Sequence, residues 1–225
     1  HSDMSKIVKI KSIEPITHDV YRIRTEKPDG IEYRPGQAVD ISINKEGWNE
    51  EVRTFTFTSI PSDNFLEFTI KTYPSHNGVT NQIRSLKAGD EIFLYDIYGD
   101  IEYKGEGMFI AGGAGITPFI AILKNLEREN KLGHNKLLFA NKSKEDIIDE
   151  NRFNQLLGER FVNILSNDQR PGYVHGFITP DLIKQHSDNQ NQFYYLCGPP
   201  PMMDAVLAHL TSLGIKEENI VKEGF

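Results

Sequence analysis

Met108-Phe109-Ile110-Ala111-Gly112-Gly113-Ala114-Gly115-Ile116-Thr117-Pro118 is the stretch that decides how half of this sequence folds. Its first four residues are apolar without alternation, as in a parallel strand covered on both faces. The glycines permit a tight turn. Pro118 then suits a helix start, because first-turn N–H groups have no intrahelical acceptor. A helix is predicted over 118–130, strands over 136–140, 161–165 and 193–197, and a last helix over 201–213. Thr179-Pro180 reads as a cap and first turn of a further helix. Strands alternating with helices predict a doubly wound parallel α/β domain.

The glycine loop has two readings. It is a turn that binds nothing, or it is a cradle in which backbone approaches a diphosphate and the helix start offers N–H groups and a positive dipole end. Its spacing is not GxGxxG, since Pro118 stands at the third glycine position. A second loop, Cys197-Gly198-Pro199-Pro200-Pro201-Met202, also ends a strand and opens a helix. Ligands collect at the carboxyl ends of strands in open α/β sheets, so the two loops together can frame one dinucleotide. Cys197 alone reads equally as a buried small hydrophobe. Met202, Met203, Val206, Leu207 and Leu210 read as the core face of a helix.

Upstream, the grammar is different. Residues 6–11 alternate lysines with apolar side chains, 20–24 do the same, and 38–43 follow the turn signal Pro35-Gly36. Residues 53–58 alternate Thr with Arg or Phe, and 65–70 and 92–98 complete six strands, with one helix over 79–86. Short strands with Gly/Pro punctuation predict an antiparallel six-stranded β-barrel. The change near 103–107 sets the expected domains at 4–104 and 105–225, with His1–Asp3 read as a tag remnant ahead of Met4.

With 225 residues, 25% charged and 38% hydrophobic, the composition is that of an ordinary globular protein. A net charge of −7 argues against a nucleic-acid partner. The single cysteine excludes an intrachain disulfide and a multi-cysteine metal or iron–sulfur site, so no metal is expected. A reducing cytosol is the simplest setting. No apolar run is long enough for membrane insertion.

Arg53-Thr54-Phe55-Thr56-Phe57-Thr58-Ser59 puts a cation, aromatics and hydroxyls on one strand. It reads as an amphipathic barrel strand or as a flavin site, with arginine for phosphate, a planar ring for stacking and a hydroxyl for a ring nitrogen. The order Arg53-x-Phe55-Thr56-x-x-Ser59, Gly78-Val79-Thr80, the 112–118 loop and Cys197-Gly198-Pro199-Pro200 resembles the ferredoxin–NADP⁺ reductase superfamily, most of all its compact flavodoxin/ferredoxin or flavin reductases. The match spans nearly the whole chain.

That resemblance implies a flavin-binding barrel and an NAD(P)-binding α/β domain, with FAD preferred over FMN and NAD(P)H as cosubstrate. It implies that Arg53 holds the flavin phosphates, Phe55 lies against the isoalloxazine and Thr56 offers its hydroxyl to N5. Ser59 closes that motif. Gly78, Val79 and Thr80 would cradle the pyrophosphate. Gly112, Gly113, Gly115, Thr117 and Pro118, with Gly198 and Pro199, would bind the nicotinamide dinucleotide, and Cys197 would sit near nicotinamide C4. Ser166 matches a serine of NADP-binding relatives, with Asn141, Lys142, Asn167 and Arg170 nearby; no preference between NADH and NADPH is drawn. Glu223-Gly224-Phe225 looks like the family's acidic-x-aromatic terminus, so Phe225 would cover the flavin and Glu223 assist proton delivery; a frayed end is the other reading. Phe55 stands where many relatives have tyrosine, which removes a hydroxyl.

The expected activity is hydride transfer from nicotinamide to flavin N5, then release of electrons to a separate acceptor such as flavodoxin, ferredoxin or a small molecule. A free-flavin reductase or an oxygenase reductase component is the alternative, and a non-catalytic redox-sensing subunit is a reading from another class. A monomer is expected. Arg22, Arg24, Lys71 and Arg84 are candidates for a basic rim that meets an acidic carrier.

Overall fold

The computed structural model describes residues 5–99, 101–189 and 191–223. The first half is built from β1 (Lys6–Pro15), β2 (Val20–Thr25), β3 (Ala38–Ile43), β4 (Arg53–Thr56), β5 (Leu66–Lys71), the short helix α1 (Val79–Ile83) and β6 (Glu91–Tyr98). The strands form one antiparallel six-stranded sheet in the order β4-β3-β6-β1-β2-β5. The sheet curls until its two outer strands meet. Phe57 bridges Phe68, and Thr58 N–H donates to the Glu67 carbonyl at 2.8 Å. Alternation in β1 sends Val8 and Ile10 inward and leaves Lys6, Lys9 and Lys11 exposed. Phe57 and Phe68 fill the interior together with Val39, Ile41 and Ile43. The Tyr33 ring stacks on Phe57 with centroids 4.0 Å apart.

The second half follows with β7 (Gly107–Gly112), α2 (Thr117–Arg128), β8 (Lys136–Asn141), α3 (Glu150–Leu157), β9 (Phe161–Leu165), β10 (Val174–His175), α4 (Pro180–His186), β11 (Phe193–Cys197), α5 (Pro200–Ser212) and β12 (Ile220–Lys222). All its strand pairs are parallel, in the order β10-β9-β8-β7-β11-β12. β7 is buried along its whole length, as its unbroken apolar run requires. Thr179 caps α4, its hydroxyl accepting from Leu182 N–H at 3.1 Å.

Three differences from the sequence reading have physical causes. α2 ends at Arg128 rather than residue 130, because Asn130 adopts φ +57° and the Lys131 N–H closes back on the Leu126 carbonyl at 2.7 Å. That is a left-handed helix stop made with asparagine instead of glycine. α1 ends at Ile83, and its expected last turn is a succession of tighter bonds such as Leu86 N–H to the Ile83 carbonyl. α3, β10 and β12 had no signal of their own. β10 and β12 are two and three residues long, and α3 buries only Phe153 and Leu157.

The halves share a core. Val20 and Ile101 belong to the same buried cluster as Phe109, Phe119, Leu123 and Leu137. Gly36 lets Ile101, one of those residues, pack against the turn before β3. Its φ is +101°, and a Cβ there would lie 2.2 Å from the Ile101 carbonyl oxygen. Among the described residues no helix is long and apolar enough to cross a membrane. Gly36→Ala combines a left-handed backbone with a backbone clash and is expected to destabilise the protein by roughly 3 kcal/mol. Urea or thermal denaturation checks it.

Candidate active site

The chain leaves β7 toward β8 on one side and returns through β11 on the other, so the loops after β7 and β11 diverge from one point. Ala111 and Cys197 are paired across that point. The loops pack on each other closely enough to require glycine. A Cβ on Gly115 would lie 2.4 Å from the Cys197 carbonyl oxygen, and one on Gly112 2.4 Å from Met202 Sδ. Gly113 differs. Its φ is +52° and its Cβ direction is open space.

In front of these loops lies a cleft of about 700 Å³, a volume typical of small-molecule sites. Gly112, Gly113, Asn141, Lys142, Ser166 and Pro199 line it from the α/β half, and His18, Asp19, Val20 and Lys71 from the barrel half. The Asn141 side-chain amide nitrogen is buried and has no hydrogen-bond partner among the described residues. A buried donor in that state calls for an acceptor from a ligand. Open glycine, helix start, orphaned amide and cleft volume all fit a dinucleotide.

Cys197 and Glu223 come together by register. β11 pairs β12 with Leu196 opposite Lys222, so the next residues, Cys197 and Glu223, are neighbours. Burial, and after it the Glu223 carboxylate, push the Cys197 thiol up to about 12. The site thus holds a protonated thiol at neutral pH, unlike a nucleophilic cysteine. Phe225 lies outside the described residues.

On the barrel side Arg53 is half exposed. Its guanidinium donates to the Val52 carbonyl at 2.8 Å and stands 3.8 Å from Glu51. Thr56 is half-buried opposite Ala38. Phe55 is half-buried opposite Val39 and packs against the barrel core. The outer face of this edge carries a polar knot, with Thr54 and Tyr98 hydroxyls both bonded to Asp40 Oδ1 at 2.6 and 2.8 Å. Gly78 precedes α1 with open space at its Cβ position, so a flavin phosphate can approach the backbone there. Thr80 is half-buried, whereas Val79 turns its side chain into the core and offers only its backbone. Ser59 is fully buried. Its hydroxyl meets the Tyr33 hydroxyl at 2.9 Å and accepts from Glu67 N–H at 2.9 Å, so it braces the motif from behind.

Several cleft residues had escaped the sequence reading. His18 Nε2 meets Asp146 Oδ1 at 2.6 Å across the cleft, and this bond raises the His18 pKa. Phe177 lines the cleft yet is 79% exposed. Nothing local in the sequence marks Thr17-His18-Asp19 or Gly176-Phe177 as facing the cleft. One expected rim cation is corrected. Arg22 is drawn inward to Asp149, so it does not stand ready for a carrier, whereas Arg24 bonds buried Glu67 yet keeps a half-exposed side chain. Arg170 is tied to Asp168 at 3.2 Å.

Residues 7–103 match the family model for an oxidoreductase FAD-binding domain, and 109–208 that for an oxidoreductase NAD-binding domain. The chain is 34% identical over 230 residues to NADH-cytochrome b5 reductase 1 of Aspergillus oryzae, covering 91% of this chain and 77% of that protein. It is 30% identical over 235 residues to the reductase component of propane 2-monooxygenase from Rhodococcus jostii, covering 96% of this chain and 62% of that one. A ferredoxin NADP⁺ reductase from Neisseria gonorrhoeae with bound FAD and NADP shares the fold, with TM-score 0.85, 20% identity and full coverage of both chains. Fold and site therefore define a two-domain flavoprotein that binds FAD and a nicotinamide dinucleotide. The chain belongs to the ferredoxin–NADP⁺ reductase superfamily and is an NAD(P)H-dependent flavoprotein reductase.

The thiol's high pKa gives a direct test. In nucleotide-free protein, iodoacetamide should label Cys197 slowly at pH 8, with a rate rising about tenfold per pH unit above that, since only thiolate reacts. Glu223→Gln removes the negative charge, lowers the thiol pKa and should speed labelling several-fold at fixed pH. Mass spectrometry reads both.

Proposed function

We propose that this chain takes a hydride from NAD(P)H and passes the electrons singly to a separate protein acceptor. The observation that carries the reading is the cleft, lined by Gly112, Gly113 and Pro199 of the two loops and by the orphaned Asn141 amide, with barrel residues His18, Asp19, Val20 and Lys71 facing them. When bound, nicotinamide supplies a hydride at C4 and the flavin receives it at N5. The chain's own residues bind, orient and hold protons. Arg53 and the N–H groups at Gly78, Val79 and Thr80 hold the flavin diphosphate. Thr56 offers its hydroxyl to N5, and Phe55 lies along the ring system, with Ser59 fixing their strand. Gly112, Gly113, Gly115, Thr117 and Pro118, with Gly198 and Pro199, seat the dinucleotide. Cys197 keeps its proton against the nicotinamide, held protonated by burial and, after it, by the Glu223 carboxylate. The division between flavin and nucleotide domains falls between 104 and 105.

Support for a protein acceptor comes from the relatives' own names, a cytochrome b5 reductase and an oxygenase reductase component. Flavodoxin and ferredoxin belong to the same class of one-electron carriers. NAD(P)H should bleach the purified FAD-loaded protein without oxygen, and cytochrome c reduction should require an added carrier, with cytochrome b5, ferredoxin and flavodoxin tried in turn. Equal rates with free flavin alone would instead make it a free-flavin reductase. Arg53→Ala should weaken FAD retention at least about tenfold, through lost charge-assisted hydrogen bonds of about 1.5–3 kcal/mol. Ser166→Asp puts a carboxylate at the ribose end. It should lower kcat/KM for NADPH by about tenfold or more through like-charge repulsion, while NADH changes little.

A further inference from the structure

Thr58 lies two residues beyond Thr56 on the flavin motif, and its carbonyl accepts a hydrogen bond from Lys124 Nζ at 2.5 Å. Lys124 projects from α2, the helix that the glycine loop opens. It stands seven residues, or about 10.5 Å, after Thr117 on the same helical face. The link therefore joins the strand bearing Thr56 to the helix bearing the dinucleotide loop.

Lys124 is not needed to neutralise the charge beside it. Its nearest carboxylate, Glu67 Oε2 at 3.4 Å, is only 2% exposed. Glu67 already accepts from Arg24 Nε at 3.0 Å and from the Thr58 hydroxyl at 2.7 Å, with Arg22 Nε at 3.6 Å. The lysine side chain is itself only 14% exposed. Burial lowers its pKa, and the Glu67 charge opposes that. Burying a third cation here is unfavourable unless its bonds do something besides balance charge. The bond that stands out goes to a main-chain carbonyl of the flavin strand. A second tie between the halves, Arg22 to both Asp149 oxygens at 2.9 and 2.7 Å, leaves α2 itself untouched.

We propose that Lys124 is a positioning residue for hydride transfer, its bond to the Thr58 carbonyl setting the separation between the Thr56 strand and the dinucleotide loop. This rests on the hydride-transfer reading above. Hydride transfer is sensitive to such a separation, since a misplacement of about 1 Å can slow a reaction about a hundredfold.

Lys124→Met should fold and keep its FAD, because Glu67 retains both arginines and Thr58. In anaerobic stopped flow, flavin bleaching by saturating NAD(P)H should slow about tenfold or more, a fraction of the limit for a 1 Å misplacement. The half-saturating nucleotide concentration should stay within about twofold, since the dinucleotide loop itself is unchanged. The long-wavelength charge-transfer absorbance of the mixed complex should shrink. Lys124→Arg, which can still reach the carbonyl, should recover most of both signals. Parent-like bleaching and charge-transfer absorbance in Lys124→Met would overturn the inference. So would a Lys124→Arg as slow as Lys124→Met, with FAD content and thermal midpoint lost in both, because Lys124 would then serve folding alone. A parent protein that NAD(P)H does not bleach overturns the reductase reading and this inference with it. A bleaching parent beside an unaffected Lys124→Met overturns this inference alone.

Discussion

Glu67 ties the molecule together through its main chain and its side chain at once. Its carbonyl accepts from Thr58 and its N–H donates to Ser59 Oγ, which seals the two outer strands of the barrel. Its carboxylate, almost fully withdrawn from water, faces Arg22 and Arg24 from β2 and Lys124 from α2. An isolated carboxylate in such a place would destabilise the fold by several kcal/mol. The two arginines of β2 answer that charge, and Lys124 from the other half adds a contact to the same carboxylate. Closure of the barrel and docking of the α/β half are satisfied by the same group.

Around that joint the chemistry divides cleanly. The barrel edge offers an exposed guanidinium and an approachable backbone at Gly78, both suited to phosphate. The parallel sheet offers the diverging loops of its switch point, where two glycines exist only because the Cys197 and Met202 atoms leave no room for a Cβ. Parallel pairing of β11 with β12 adds a carboxylate next to the thiol. None of these groups is reactive by itself.

The alternation of residues 6–11 and the Thr/Phe doublets of 53–58 made the barrel legible, because a period of two survives any tertiary context that leaves one face wet. The buried run at 108–111 made the parallel sheet legible for the complementary reason. β12 was not legible, since three residues are too few to show a period. The end of α2 was misread because Asn130 takes the left-handed role usually given to glycine. The site divided likewise. Residues near glycine loops stood out, but His18 and Asp146 meet across a separation of 128 residues, and no local pattern records that. Arg22 read as surface charge because its partner Asp149 lies 127 residues away.

Val20 and Ile101 precede the α/β half in sequence yet sit inside its apolar cluster beside Phe109 and Phe119. Cutting the chain between the two sheets would leave an unfilled, oily socket on the C-terminal fragment and two orphaned aliphatic side chains on the other. The halves are separate in topology but interdependent in folding. Either half moved alone into a fusion would need the missing plug supplied with it.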